Sequence, residues 1–429
     1  MKKILFLTFS YAPYNVTGTF RAMRFIKYLP KYGIKPIVVT ADQGKHHWNE
    51  KLYEEIPDEA EVYRLRSIFK DAQERSKITK QLYQRKKLLL NRIIFAILRY
   101  VKDIFFSPDI QNTWCIMNFF KLYKIIKENK IDIILVTGSP FSLFVLGSFL
   151  KIITKKKLIF DYRDPWYNNK FYTNQSFIRK KYNYFFEKFS LKNADAIIGT
   201  TDEIIDDIKN VYNYNGRTKT ITNGYDPSEF VIKSEIPNYA CKNLIFLYIG
   251  RFDIDDNSYN PSLILRSIQK YNEKQGKKIK LIVCGNINKS TIEFIDNNHM
   301  NDFIEIKGFL KRNELQKLLH KSHFFLHFWY PQKMKKIISI KIFEYALFKK
   351  PIFSINTQHS VVSSLIKKSG IGFFCENDKI DNIVNLFQKI ENFCYNDFLD
   401  QINLNEIEKF NTKNLTKDLA QLINQIDLM

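Results

Sequence analysis

The chain has 429 residues, 45% of them hydrophobic and 15% aromatic, which suffices for two domains with filled cores and excludes a disordered chain. Lys and Arg number 67 against 44 Asp and Glu, a formal charge of +23 that directs the molecule toward nucleic acid, an acidic membrane surface or phosphorylated substrates. Five scattered Cys, with no CxxC and no His pair at ligand spacing, exclude a disulfide framework or a zinc site and read as reduced core thiols of a cytosolic protein.

The N-terminus opens like a signal peptide, but its apolar run is too short and no small-residue cleavage site follows, so residues 4–8 read as a first strand. A loop containing Gly18 leads into a helix expected over 19–32, and a second strand is expected at 36–40. Between Arg64 and Asp103 twelve Lys/Arg stand against three acids, and Arg85-Lys-Lys runs into an apolar helical stretch. This basic insertion, about 64–115 in all, suits an anionic membrane surface; no nucleic-acid-binding signature accompanies its charge. Residues 133–150 carry no charge and approach the length of a membrane span, but Gly138-Ser139-Pro140 interrupts them, which predicts a buried strand turning into a helix. Further strands are expected at 131–137, 157–161 and 194–200. Apolar strands separated by helices make a parallel sheet covered on both faces. The Gly18 loop lacks GxGxxG and is no dinucleotide fingerprint.

A second strand series is expected at 243–250, 280–285, 303–306, 323–327 and 352–355, after a polar linker at 226–242 that holds Pro227 and Pro237. The expected domains are therefore 1–228 and 238–405, with a final helix from about 404–406 to 429 packing back on the first. Ligand would sit at the carboxyl ends of both sheets.

Two strings carry chemistry. Asp161-Tyr-Arg163-Asp164-Pro-Trp166 puts three charges at the end of a buried strand, which is costly unless they are paired or functional. Ser339-Ile-Lys341-Ile-Phe-Glu344-Tyr-Ala-Leu-Phe-Lys-Lys-Pro351 reads as a capped helix with Ile340, Phe343 and Leu347 toward the core and Lys341 and Glu344 outward. A helix start with a Lys beside it makes a phosphate seat, and a solvated amphipathic helix accounts for the same pattern.

Together with Ile249-Gly250-Arg251, Asn223-Gly-Tyr-Asp226 and Ser139-Pro140, these strings resemble retaining glycosyltransferases of family 4, in the branch with an Asp-x-Arg-Asp-Pro-Trp string. The resemblance implies the GT-B fold, α/β, with two facing Rossmann-like doubly wound domains and a cleft between them. It also implies that a sugar is moved from a nucleotide-diphosphate donor, UDP- or GDP-linked, to a lipid-linked or oligosaccharide acceptor, without cofactor or metal, on the inner face of the plasma membrane. By position, Arg251 and Lys341 would bind the diphosphate, with Gly250 and Ser339 beside them. Glu344 would hold the ribose. Gly18, Arg21 and Ser139 would form the loops that approach donor or acceptor, and Asp161, Arg163 and Asp164 would be the catalytic group near the transferred sugar. Two departures stand out: Lys336 replaces the first of two spaced Glu, and the acidic run from Asp253 to Asp256 replaces a Lys-bearing segment. They keep two rivals open, a nucleotide-sugar epimerase of the same fold and a catalytically silent scaffold of a glycan assembly complex.

Overall fold

The computed structural model describes residues 1–44, 48–68, 107–169, 176–232, 236–257, 259–274, 276–329, 338–356, 359–376 and 379–427. Most of the basic insertion, from residue 69 to 106, and Lys336 lie outside them. The chain divides into two compact units, Met1–Thr222 with Thr412–Met429, and Asn223–Asn411.

The first unit is built on seven parallel strands: β1 (Lys2–Leu7), β2 (Ile34–Asp42), β3 (Glu61–Arg66), β4 (Ile133–Gly138), β5 (Lys157–Tyr162), β6 (Ala196–Gly199) and β7 (Arg217–Thr220). Their spatial order is β3-β2-β1-β4-β5-β6-β7. Alternation along β1 sends Leu5 and Leu7 to one face and Ile4 and Phe6 to the other, and all four are fully buried. Leu5 and Leu7 pack with Val136, Phe160 and the helices Asn112–Glu128, Ser142–Thr154 and Phe177–Asn193. Ile4 and Phe6 pack with Leu135, Ile159, the helix Thr17–Tyr28 and the last helix, Thr412–Asp427, which supplies Leu415, Leu419, Leu422, Ile423 and Ile426.

Three edge or near-edge strands went unread in the sequence: β3, β7 and, in the second unit, β13 (Gly372–Cys375). Arg64 and Arg66, counted above in the basic insertion, belong to β3. Cys394 is exposed, and Cys241 and Cys375 are only partly covered, so core burial describes Cys115 and Cys284 alone.

The second unit has β8 (Asn243–Ile249), β9 (Lys278–Cys284), β10 (Ile304–Gly308), β11 (Phe324–Trp329), β12 (Ile352–Asn356) and β13 in the order β10-β9-β8-β11-β12-β13, all parallel. Asn223 to Asp226 group with this unit: the Tyr225 amide donates to the Phe410 carbonyl at 3.0 Å and its hydroxyl to Glu408 at 3.2 Å. Both sheets are doubly wound. The direction of winding reverses between β1 and β4 in the first and between β8 and β11 in the second, and open α/β sheets bind ligands just beyond the strands that flank such a reversal. Among the described residues no helix is long and apolar enough to cross a membrane.

Candidate active site

In the first unit the ends of β4 and β5 and the start of the helix Thr17–Tyr28 converge. Arg163 joins them: its Nε donates to the Gly138 carbonyl at 2.8 Å, its Nη1 to the Gly18 carbonyl at 2.8 Å, and its Nη2 to the Ser139 carbonyl. A Cβ on Gly18 would lie 2.3 Å from Arg163 Nη1, so any other residue there would push the guanidinium off this loop. Burial lowers the Arg163 pKa, and the Asp164 and Asp161 carboxylates oppose that shift. Asp164 stands beside Arg163, its carboxyl pushed upward by burial against the guanidinium's pull.

Asp161 has a different setting. It is 1% exposed and accepts a fork from Arg21, Nε to Oδ2 at 2.9 Å and Nη2 to Oδ1 at 2.8 Å, while the Thr137 hydroxyl donates to Oδ2 at 2.9 Å. Arg21, 6% exposed, also donates to the carbonyls of Ile221 and Thr222 at 2.8 and 2.7 Å. A paired buried charge of this kind is satisfied, and the pair ties β5, the helix Thr17–Tyr28 and the segment after β7 into one piece. Gly18, Ser139 and Arg163 thus form one contact set and Arg21 with Asp161 another. Sequence reasoning missed Thr137 and the two carbonyls, which carry no residue-type signal.

Behind Trp166 lies a second buried carboxylate. Glu187 accepts from the Tyr167 amide and the Tyr212 hydroxyl, both at 2.8 Å, and burial raises its pKa from 4.5 to about 7. An acid whose folded pKa is raised binds its proton more readily folded than unfolded, so stability falls as pH rises between about 4.5 and about 7. Glu187→Gln should flatten the melting temperature across that window, where the native protein should lose roughly 3 kcal/mol; unchanged pH dependence would remove Glu187 as its source.

In the second unit Gly250 follows β8 with φ +147°, and a Cβ there would fall 1.9 Å from Lys341 Nζ. The ammonium therefore lies against the strand end, over the Tyr248 ring at 5.5 Å. This corrects the outward placement read from the sequence. The helix Ile340–Leu347 buries Ile342, Phe343, Tyr345 and Ala346 instead of the Ile340, Phe343 and Leu347 stripe. Tyr345 sets that rotation: its ring stacks on Phe325 at 4.4 Å and its hydroxyl accepts from the Ile249 amide at 3.0 Å. Turned inward, Lys341 has its pKa pushed down to about 8 by burial, with Glu344 opposing. No carboxylate of the described residues lies within ion-pair distance of it. Nearby His327, buried and bonded through Nδ1 to Ser354 Oγ at 2.9 Å, is held neutral, its pKa down to about 3 by burial and by Lys341. A lone His in the apolar string Phe324-Phe-Leu-His327-Phe was the signal that could have found it.

Arg251 leaves the same strand end in another direction. Its guanidinium meets Asp253 and Asp256, each at 2.9 Å, and lies 5.9 Å over the Tyr259 ring. The acidic run that departs from the expected pattern is therefore the partner of the expected phosphate cation. Ser339 takes the N-cap position of the helix with extended backbone and no side-chain cap bond, and Glu344 sits one turn beyond Lys341.

Residues 20–229 match the family model described as Glycosyltransferase Family 4, and residues 232–393 match that described as Glycosyl transferases group 1. The chain is built of two glycosyltransferase domains. Among solved structures, Anabaena HepE in complex with UDP and glucose is similar at 13% identity and a TM-score of 0.63, over 99% of this chain and 100% of HepE. A Gly-to-Arg variant of S. aureus TarM in complex with Fondaparinux, alpha-GlcNAc-glycerol and UDP is similar at 13% identity and 0.62, over 99% and 100%. The lipopolysaccharide outer core galactosyltransferase WaaB, in its apo form, is similar at 11% identity and 0.59, over 99% of each chain. At such identities the likeness shows the fold, and the two glycosyltransferase domains are the Rossmann-like pair of GT-B proteins. No curated protein matches this chain.

Proposed function

We propose that the chain is a retaining, metal-independent glycosyltransferase that moves a sugar from a nucleotide-diphosphate donor to a lipid-linked cell-surface glycan at the inner face of the plasma membrane. The observation that carries the reading is Lys341: an ammonium turned inward at the winding reversal, against Gly250 and beside the start of the helix Ile340–Leu347. When the sugar leaves, negative charge grows on the phosphate oxygens. A fixed cation and a helix mouth stabilise that charge without reorganising, which is work a metal ion would otherwise do. Arg251 adds a bidentate grip once the diphosphate displaces Asp253 and Asp256, and Glu344 accepts from the ribose hydroxyls. On the acceptor side Arg163 orders the Gly18 and Ser139 loops, and Asp164 orients the acceptor hydroxyl.

One observation favours the silent-scaffold reading: Arg251 already has two carboxylate partners. A thermal-shift panel with UDP, GDP and their sugars separates the readings. A ligand at 100 times its Kd should add about 2.7 kcal/mol of stability. A shift with one nucleotide, together with product formation that requires acceptor, is expected; no shift with any of them would sink donor binding, and UDP release without acceptor would favour the epimerase.

A further inference from the structure

The three helices that cover one face of the first sheet, Asn112–Glu128, Ser142–Thr154 and Phe177–Asn193, pack side by side. Their inner faces are spent on the core: Trp114, Leu122 and Ile126 from the first, Leu143 and Leu150 from the second, Leu191 from the third. Their outer faces are apolar as well. Phe120 is 79% exposed, Phe149 48% and Phe185 63%, each near the middle of its helix, and Ile116, Ile153 and Phe177 are exposed beside them. Phe149 meets Phe189 of the neighbouring helix at 5.3 Å, so the apolar surface continues from one helix to the next. Exposed aromatic and aliphatic side chains in such number on adjoining helices mark an interaction surface.

The charges on the same helices say what it meets. The three segments hold nine Lys/Arg against two Glu, and one of those, Glu187, is buried. On the first helix the outward stripe runs from Ile116 and Phe120 into Lys124 and Lys127; on the third it alternates Phe177, Lys181, Phe185, Lys188. Several ammonium groups lie over rings of their own helix, Lys181 over Phe177 at 5.4 Å, Lys127 over Tyr123 at 5.7 Å and Lys188 over Tyr184 at 5.8 Å. Lys is depleted from protein–protein interfaces, and two copies of this face would set like charges against each other. Aromatic rings interleaved with long cationic side chains suit the boundary of an anionic bilayer, where the rings enter the headgroup region and the ammonium groups reach lipid phosphates.

We propose that this helix layer docks on an anionic phospholipid bilayer, an inference that rests on the lipid-linked acceptor above for its purpose and on the helices' own chemistry for its evidence. In sequence the basic stretch Arg64 to Asp103 ends eight residues before the first of these helices and adds charge of the same sign.

The test is co-sedimentation of the full chain with vesicles of phosphatidylcholine alone and with phosphatidylglycerol added. The native chain should bind the anionic vesicles and lose binding as salt is raised. Two variants read the face: Phe120→Ser/Phe149→Ser/Phe185→Ser, and Lys121→Gln/Lys124→Gln/Lys127→Gln. Each should bind at least about tenfold more weakly, with an unchanged melting temperature and an unchanged UDP-induced shift. A third variant, Arg85→Gln/Lys86→Gln/Lys87→Gln, separates the helix layer from the basic stretch. The proposal is overturned if the native chain ignores anionic vesicles, if both helix variants bind as it does, or if the Phe variant's main effect is to dissociate an oligomer. Vesicle binding without any nucleotide-induced shift would instead count against the donor reading and leave the docking face standing.

Discussion

Asp161→Asn is expected to destabilise the first unit by about 3–5 kcal/mol, because it leaves the buried Arg21 guanidinium without the carboxylate that balances its charge. The carboxylate is 1% exposed and receives both arms of the Arg21 fork and the Thr137 hydroxyl, so the lost charge sits away from solvent. In a domain of this size each kcal/mol moves the melting temperature by about 2–4 °C, which predicts a fall on the order of 10 °C. Removing both charges together, in Arg21→Met/Asp161→Leu, should recover part of the loss, since an apolar pair of similar volume avoids the desolvation cost. Asp164→Asn, by contrast, should leave the melting curve nearly in place while lowering turnover. Calorimetry on the three variants decides the assignment. If Asp161→Asn melts with the native protein and loses only turnover, Asp161 belongs to the reaction and not to the scaffold.

Lys341→Met is expected to lower kcat by roughly 10²–10³, the usual loss when one fixed charge facing a developing anion is removed. Stability should change little or rise, because burial already disfavours the charged amine. The same residue predicts a pH signature. Its pKa is down to about 8 in the unliganded protein, and a bound diphosphate favours the protonated form. Below about pH 8 the cation is present before binding. Above it, binding must take up a proton, so nucleotide affinity should be full at lower pH and fall up to about tenfold per unit above 8. Titration calorimetry in buffers of different ionisation enthalpy would show the proton uptake in the native chain and its absence in Lys341→Met. Nucleotide binding with no proton uptake at alkaline pH would mean that this amine does not face the phosphates.

The central strands were readable because β1, β4, β5 and β6 are buried on both faces and so appear as unbroken apolar runs. The edges were not. β7 is Arg-Thr-Lys-Thr, with no apolar residue, and β3 is Glu-Val-Tyr-Arg-Leu-Arg, with its two ends exposed and its middle four side chains only partly covered. The chemical strings were legible as positions at strand ends, whereas their partners were not. Arg21 and Asp161 are 140 residues apart, and nothing local announces that they pair. Lys341 was misdirected because a helix of eight residues has two plausible apolar stripes, and Tyr345 stacking on Phe325 chooses between them.

The helix Thr412–Asp427 completes the core beneath Ile4, Phe6 and Ile159, yet the chain reaches it only after the whole second unit has been made. A nascent chain leaving the ribosome therefore finishes the second unit first and holds the older one open, with an apolar face awaiting its lid, until residues 412–427 have been made. Premature stop codons shortly before residue 412 should consequently harm the part of the protein that was translated earliest.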